Sequence, residues 1–442
     1  MKSFSSNSFA NDTSRAFEHA LSAVSKDPQA LFSDFQWFLF EAKDAVFFTA
    51  FSKLRLDHSE LSRIAGEMIA LAPQLTHGFV GALPGRPFPQ HMVDAIVHSE
   101  EVDSFEGYPD RWLSKSEDIF ARDDLPLFRV QSIVLKGGPD ADGRASMVQV
   151  RASHALLEGA DSALLTRGQS AARGPLSEHA SKVGIFTRAI GFIRAQGLAW
   201  TYITMANLLA PSERPWGFKT LAIRRHRLRE LANRLGVRQR SLYFALVTYA
   251  LNGEGPDKNL QKKMIGAAYT LLGDPNERTE LEDDFLRVRA LQAKFRVRED
   301  FVTYVREIDD TVGRLEAKDI SKFMTLMGVM MKTFRGLSRI FPGLPGKRFW
   351  RFNMGIDIAL TLVPPHRAYG PLTKGIMEPI YCGAWHPAQN ICTYCPGRQY
   401  LTMNFSMDER LLAHVDKIVP LMERIEAMDL APSGRKVEDA DE

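Results

Sequence analysis

Cysteine is scarce: the 442 residues hold three, all between Cys382 and Cys395. An odd number crowded into one segment is not the disulfide framework of a secreted protein, so a reducing cytoplasm is the expected compartment. Net charge is scarce too. With 56 Lys and Arg against 53 Asp and Glu, the formal charge of +3 is too small for the whole molecule to act as a nucleic-acid binder. Long apolar runs are missing: Ala195–Ser212 and Pro379–Gly397, the longest uncharged stretches, are interrupted by Gln, Asn, Thr and Pro and do not read as bilayer spans. The start, Met1-Lys2-Ser3-Phe4-Ser5-Ser6-Asn7, lacks the apolar core of an export signal. No self-similar period excludes solenoids and propellers, and no glycine-rich phosphate loop, nucleophile elbow or paired cysteine-histidine protease signature is present.

What is present is an ordinary globular composition, 45% hydrophobic and 25% charged, long enough for two lobes with substantial cores. Ser59–Ala72 places apolar residues at helical spacing after a Ser. Phe128–Leu135 and Ala145–Ser153 flank a run of turn formers, Lys136 to Arg144, and predict a hairpin. Gly184–Pro211 reads as a crossover helix and linker, followed by a strand over Phe218–Ile223, a helix Arg224–Leu235 stopped by Gly236, and an apolar helix Ser241–Leu251. Leu281–Arg314 reads as a charged helix and Phe323–Ile340 as a Met-rich basic one. Ile356–Val363 and Tyr400–Phe405 return to strand character before a last helix, Glu409–Met428. The expected organisation is a flexible start over 1–25, an N-terminal lobe over 26–180, a linker over 181–215, a C-terminal lobe over 216–430 and a tail over 431–442.

Chemistry concentrates in Arg151-Ala152-Ser153-His154-Ala155-Leu156-Leu157-Glu158-Gly159. A histidine at the end of a buried strand can take the proton from an attacking hydroxyl or amine. A carboxylate four residues on can hold the following loop by pairing with an arginine, and glycine lets the backbone turn. The same spacing arises by chance, and a single strand histidine is more often a satisfied core residue.

The segment resembles the HHxxxDG motif of the CoA-dependent acyltransferase superfamily, in its bacterial wax ester synthase/diacylglycerol acyltransferase branch. The likeness extends through Asp34–Glu41, Pro126-Leu127-Phe128, Gly236–Leu251, Thr361-Leu362-Val363-Pro364-Pro365, Cys392-Thr393-Tyr394-Cys395-Pro396-Gly397 and Asp408. It implies an α/β (α+β) chain with the two-lobed chloramphenicol acetyltransferase-like fold, each lobe a mixed sheet with flanking helices. His154 maps onto the catalytic base in a tunnel between the lobes, and Glu158 and Gly159 map onto the loop-holding positions. Ser153 stands in place of the first histidine, beside the substrate, and Thr393 and Asn404 are polar substrate-binding candidates on the facing lobe. Glu for Asp at 158, and Arg240-Ser241 for the usual Asn-Asp pair, are departures that open the alternative of a non-catalytic acyl-thioester- or partner-binding member.

The implied activity is acyl transfer from acyl-CoA, used as co-substrate with no bound cofactor, to a hydroxyl of a lipid-like acceptor. Arg224, Arg225 and Arg227 head the densest basic cluster, which suits CoA phosphates or an acyl carrier protein and equally a solvated helix face. The Met/Phe-rich basic stretch 322–351 suits peripheral contact with the inner membrane face or a core-facing helix. Cys382, His386, Cys392 and Cys395 have spacing that could hold zinc, or are buried free thiols; no metal is assigned.

Overall fold

A computed structural model describes residues 39, 44–72, 75, 77–80, 83–87, 93–113, 119–120, 127–157, 189–190, 193, 197, 216–252, 264–272, 288–316, 335–336, 357–363, 375–385 and 389–428. The strands are β1 (Ala45–Ser52), β2 (His77–Val80), β3 (Leu83–Pro87), β4 (Val97–Val102), β5 (Phe128–Leu135), β6 (Ser146–Ser153), β7 (Trp216–Arg224), β8 (Met264–Leu272), β9 (Val288–Arg296), β10 (Ile358–Leu362), β11 (Ile376–Trp385), β12 (Ile391–Pro396) and β13 (Tyr400–Asp408). The principal helices are α1 (His58–Leu71), α2 (Arg225–Leu235), α3 (Gln239–Asn252), α4 (Phe301–Glu316) and α5 (Ile418–Glu426).

Two mixed sheets carry the molecule, one in the order β11-β1-β6-β5-β4 and one in the order β7-β13-β12-β10-β8-β9, with β2 and β3 as a separate ribbon. In the first, only β4 and β5 run parallel; in the second, β10 runs parallel to both β12 and β8. The hairpin expected between Phe128 and Ser153 is β5–β6, paired from Phe128 opposite Ala152 to Val134 opposite Ser146. Every residue of β6 is buried. Its Val148, Val150 and Ala152 join Phe48, Val130 and the buried side of α1 (Leu61, Ile64, Ala65, Met68) in one core. Asp57 starts α1 by accepting the Glu60 N–H at 3.0 Å. The second core lies between the other sheet and α2, α3, α4 and α5. Gly236 ends α2 in the left-handed conformation at φ 70°, a position that favours glycine.

Two expected helices differ. Leu281–Arg314 contains a strand: in β9, buried Ala293 and Phe295 alternate with exposed Lys294, opposite Ala267 and Ile265. Its charges hid a period of two. The helix begins only at Phe301, where the Asp300 carboxylate accepts the Thr303 N–H at 2.7 Å. Glu409–Met428 is interrupted by a turn and a 3₁₀ segment, Val415–Lys417, before α5 begins at Ile418. Pro420 lacks the N–H an interior helical residue would donate, and so sits where it is tolerated, in a first turn. The Gly184–Pro211 crossover and the Phe323–Ile340 helix fall almost wholly outside the described residues. Of the described residues, no helix is long and apolar enough to cross a membrane.

The halves are not separate in sequence. Strand β11, from the C-terminal half, lies antiparallel to β1 in the first sheet. Asn404 and Thr402 of β13 donate side-chain hydrogen bonds to the β11 carbonyls of Cys382 and Ile380, both at 2.6 Å. The Phe47 ring meets Phe218 edge-on across the same junction at 6.5 Å. Gly383 makes room for that ring, since a Cβ there would lie 2.7 Å from Phe47 Cε1 and closer still to Cζ. Gly383→Ala is therefore expected to destabilise by about 1–3 kcal/mol through overpacking, read as a lower midpoint in thermal unfolding. Adding Phe47→Leu should restore most of the loss, and a Gly383→Ala protein as stable as wild type would refute the packing argument.

Candidate active site

Strand β6 ends at Ser153, and a tight turn follows in which Leu156 and Leu157 N–H groups both donate to the Ser153 carbonyl, at 2.9 and 3.1 Å. His154 is the one residue of this turn that reaches solvent, its side chain 20% exposed among buried neighbours. The turn is packed by both halves of the chain: Ala155, Leu156 and Leu157 share a core with Val363, Ile380, Cys382 and Cys395. An imidazole lodged where the halves meet, and still open to solvent, can exchange a proton with a bound hydroxyl.

Ser153 is fully buried. Its hydroxyl accepts the Ala155 N–H at 3.3 Å and reaches the Asp44 carbonyl at 3.5 Å. It thus serves the turn. Glu158 and Gly159 lie outside the described residues, as do Pro126, His386 and Pro364.

A second carboxylate stands beside the imidazole. Antiparallel pairing of Ala45 with Ser153 brings the preceding Asp44 opposite the following His154. The His154 N–H donates to the Asp44 carbonyl at 2.8 Å, and Asp44 Oδ2 lies 3.5 Å from His154 Nδ1. Neither Nδ1 nor the other carboxylate oxygen, Oδ1, has a hydrogen-bond partner among the described residues. Sequence reasoning missed Asp44, because its neighbour in space is more than a hundred positions away and only the β1–β6 register joins them.

Thr393 and Asn404, expected together, are direct partners on β12 and β13. The row extends to Thr361 on β10 and Thr220 on β7. The alternate residues Leu360, Cys392, Tyr394, Met403, Phe405 and Leu221 face the helical core, so the row faces the opposite way, toward the junction with the first sheet. Thr393 Oγ1 and Asn404 Oδ1 are buried there and have no hydrogen-bond partner among the described residues. Thr220 donates to Asp110 at 2.6 Å. Burial holds the Asp110 carboxyl above its usual range, against the Thr220 hydrogen bond and the charge of Lys219. Burial, reinforced by Asp110, pushes the nearby Tyr381 hydroxyl up to about 12.

The basic cluster is largely spent on the chain itself. Arg227 grips Glu426 of α5 through two bonds of 2.6 and 2.7 Å, and Arg234 donates to the carbonyls of Glu426 and Met428. Arg225 donates to the Gly397 carbonyl at 3.3 Å, and Arg224 lies over the Tyr400 ring at 4.5 Å. The three thiols do not converge on one point. Cys392 accepts the Tyr243 hydroxyl at 3.1 Å on the helical side of β12, whereas Cys395, three residues on, belongs with Cys382 to the other core. Burial pushes the Cys392 thiol up, and contact with Cys395 together with burial pushes up that of Cys382. Among the described residues no group of three or more His, Cys, Asp or Glu could hold a metal.

No protein-family model and no curated protein sequence matches the chain. Solved structures do. Trichothecene 15-O-acetyltransferase from Fusarium sporotrichioides superposes with a TM-score of 0.57 over 89% of this chain and 95% of its own, at 10% identity. The nonribosomal peptide synthetase FmoA3 in an AMPPNP-bound form gives 0.52 over 93% of this chain and 44% of its own, at 12% identity. Wax ester synthase/diacylglycerol acyltransferase from Marinobacter aquaeolei VT8 covers 87% of this chain and 92% of its own at 13% identity, and a TM-score of 0.46 separates no branch. The chain has the two-lobed fold of acyltransferases and condensation domains.

Proposed function

We propose that this chain is an acyltransferase that moves an acyl group from a thioester donor, acyl-CoA, to a hydroxyl of a lipid-like acceptor, with His154 as general base. The observation that carries the reading is the half-open His154 on a turn that both halves of the chain pack around. The acceptor O–H gives its proton to the imidazole, and the oxygen attacks the thioester carbonyl. The tetrahedral adduct then expels the thiolate, which recovers the proton. Asn404 and Thr393 supply polar groups to the substrate, Glu158 and Gly159 hold the loop behind the histidine, and Arg224, Arg225 and Arg227 supply positive charge for CoA phosphates or an acidic carrier protein. Of these three, Arg224 and Arg225 fit best, because Arg227 is already matched by Glu426. The cytoplasm, with peripheral contact at the inner membrane face, fits such substrates.

Thiol release from acetyl- to palmitoyl-CoA, with a long-chain alcohol, a diacylglycerol and a polyol offered in turn, tests the reading. Release that depends on the acceptor is the expected result; none with any pair would overturn it. Ser153, folded into its own turn where the family places a first histidine, favours a second reading, a binding member without turnover. That reading predicts acyl-CoA binding by calorimetry in the absence of release.

A further inference from the structure

We infer that Asp44 is the positioning residue for His154, holding the imidazole with its proton on Nδ1 so that Nε2 faces the acceptor hydroxyl. The inference rests on the proposal that His154 is the base, and assigns the partner to the carboxylate just before β1 rather than to the motif's own Glu158. Three observations converge. The backbone fixes the pair, since the His154 N–H bonds the Asp44 carbonyl at 2.8 Å one step beyond the Ala45–Ser153 pairing. Residues directly opposite on antiparallel strands carry their Cβ atoms on the same side, about 4.5–5.5 Å apart. The side chains stand 3.5 Å apart with exposures of only 20% and 10%, and among the described residues neither Nδ1 nor Oδ1 has a hydrogen-bond partner. A carboxylate so far buried needs a cation or donor to offset its lost hydration, and imidazole N–H is the donor in reach.

The proton accounting is closed. The acceptor hydroxyl transfers its proton to Nε2, Nδ1 keeps its own, and the imidazolium so formed is matched by the Asp44 carboxylate until the leaving thiolate takes the Nε2 proton. Contacts of this kind are often long in the unliganded protein and tighten around substrate.

The test compares D44N, D44E, E158Q and H154A in acceptor-dependent thiol release, with thermal unfolding to confirm that each variant is folded. D44N is expected to lower kcat about 10- to 1,000-fold with KM changed by less than about threefold, because the contact counts only once the base is charged. D44E, which keeps a carboxylate, should retain more activity than D44N. In ¹⁵N spectra of histidine-labelled protein, the neutral His154 signal, identified by its loss in H154A, should report a proton on Nδ1 in the wild type and redistribution toward Nε2 in D44N. Wild-type kcat and an unchanged tautomer in D44N would overturn the inference, as would full loss in E158Q beside an unaffected D44N. An H154A protein that still turns over would instead remove the base itself, a different failure from that of its partner.

Discussion

His154→Ala is expected to reduce kcat for acyl transfer by about 10²- to 10⁴-fold, the usual contribution of a positioned general base. The loss should fall on kcat rather than on KM, since the imidazole is needed when the acceptor proton moves and not when the donor binds. Stability should fall by no more than about 1–3 kcal/mol, since the partly buried Asp44 carboxylate loses the imidazole beside it while the turn keeps its own bonds. The side chain is 20% exposed, its Nδ1 makes no hydrogen bond among the described residues, and the turn around it is closed by the Ser153 carbonyl and hydroxyl, which the substitution leaves in place. A variant that still unfolds cooperatively and no longer releases thiol would thus locate the defect in proton transfer. A variant that retains turnover within about threefold would move the base elsewhere, and the partly buried Asp110 would be the next carboxylate to examine.

The parts legible in the sequence are those specified locally. The β5–β6 hairpin is announced by its turn residues, α1 by its apolar stripe although Asp57 rather than the expected Ser caps it, and the end of α2 by Gly236. The strands read least well are those whose burial comes from distant partners. β11 carries buried Cys382 and an embedded proline, Pro379, yet pairs with β1, more than three hundred positions earlier. β9 looked helical because Lys294, exposed between buried Ala293 and Phe295, sits in a run of charged residues. The histidine was found because its chemistry and its strand end are both local features. Its carboxylate neighbour was not, because Asp44 acquires meaning only through the register of β1 on β6. The arginine run was legible as charge, but what that charge meets, a carboxylate on α5, was not.

The largest loss of stability is expected from Asp309→Ala. Asp309 lies in α4 at 6% exposure, and its carboxylate accepts Arg238 Nε at 2.8 Å and the Arg238 backbone N–H at 3.3 Å, while its own carbonyl takes a further bond from the guanidinium. These contacts tie the loop between α2 and α3 to α4. Gly313, one turn along, lets the guanidinium lie flat, since a Cβ there would come within 3.0 Å of Arg238 Nη2. Breaking a buried pair from one side strands the other charge, at a cost of about 3–5 kcal/mol. The midpoint of thermal unfolding should fall by about 3–5 °C in a chain of this length. Removing both charges, as in Asp309→Leu with Arg238→Met, should recover much of that loss, because an apolar pair of similar volume has no charge to desolvate.

The pH dependence carries a definite sign. Burial works to raise the Asp309 carboxyl. The neighbouring Ser241 hydroxyl and the hydrogen bonds and charge of Arg238 together outweigh it and leave it below its ordinary value. A carboxylate depressed in the folded state contributes stability that is complete above its unfolded value, near 3.8, and is lost as pH falls through the lower folded one. The difference between wild type and Asp309→Asn should therefore be flat from neutrality down to about pH 5 and shrink on further acidification. Thermal unfolding of both proteins across that range decides it: a difference that widened toward acid would mean the carboxyl is protonated in the folded protein, and the Arg238 contact would not be the tie described.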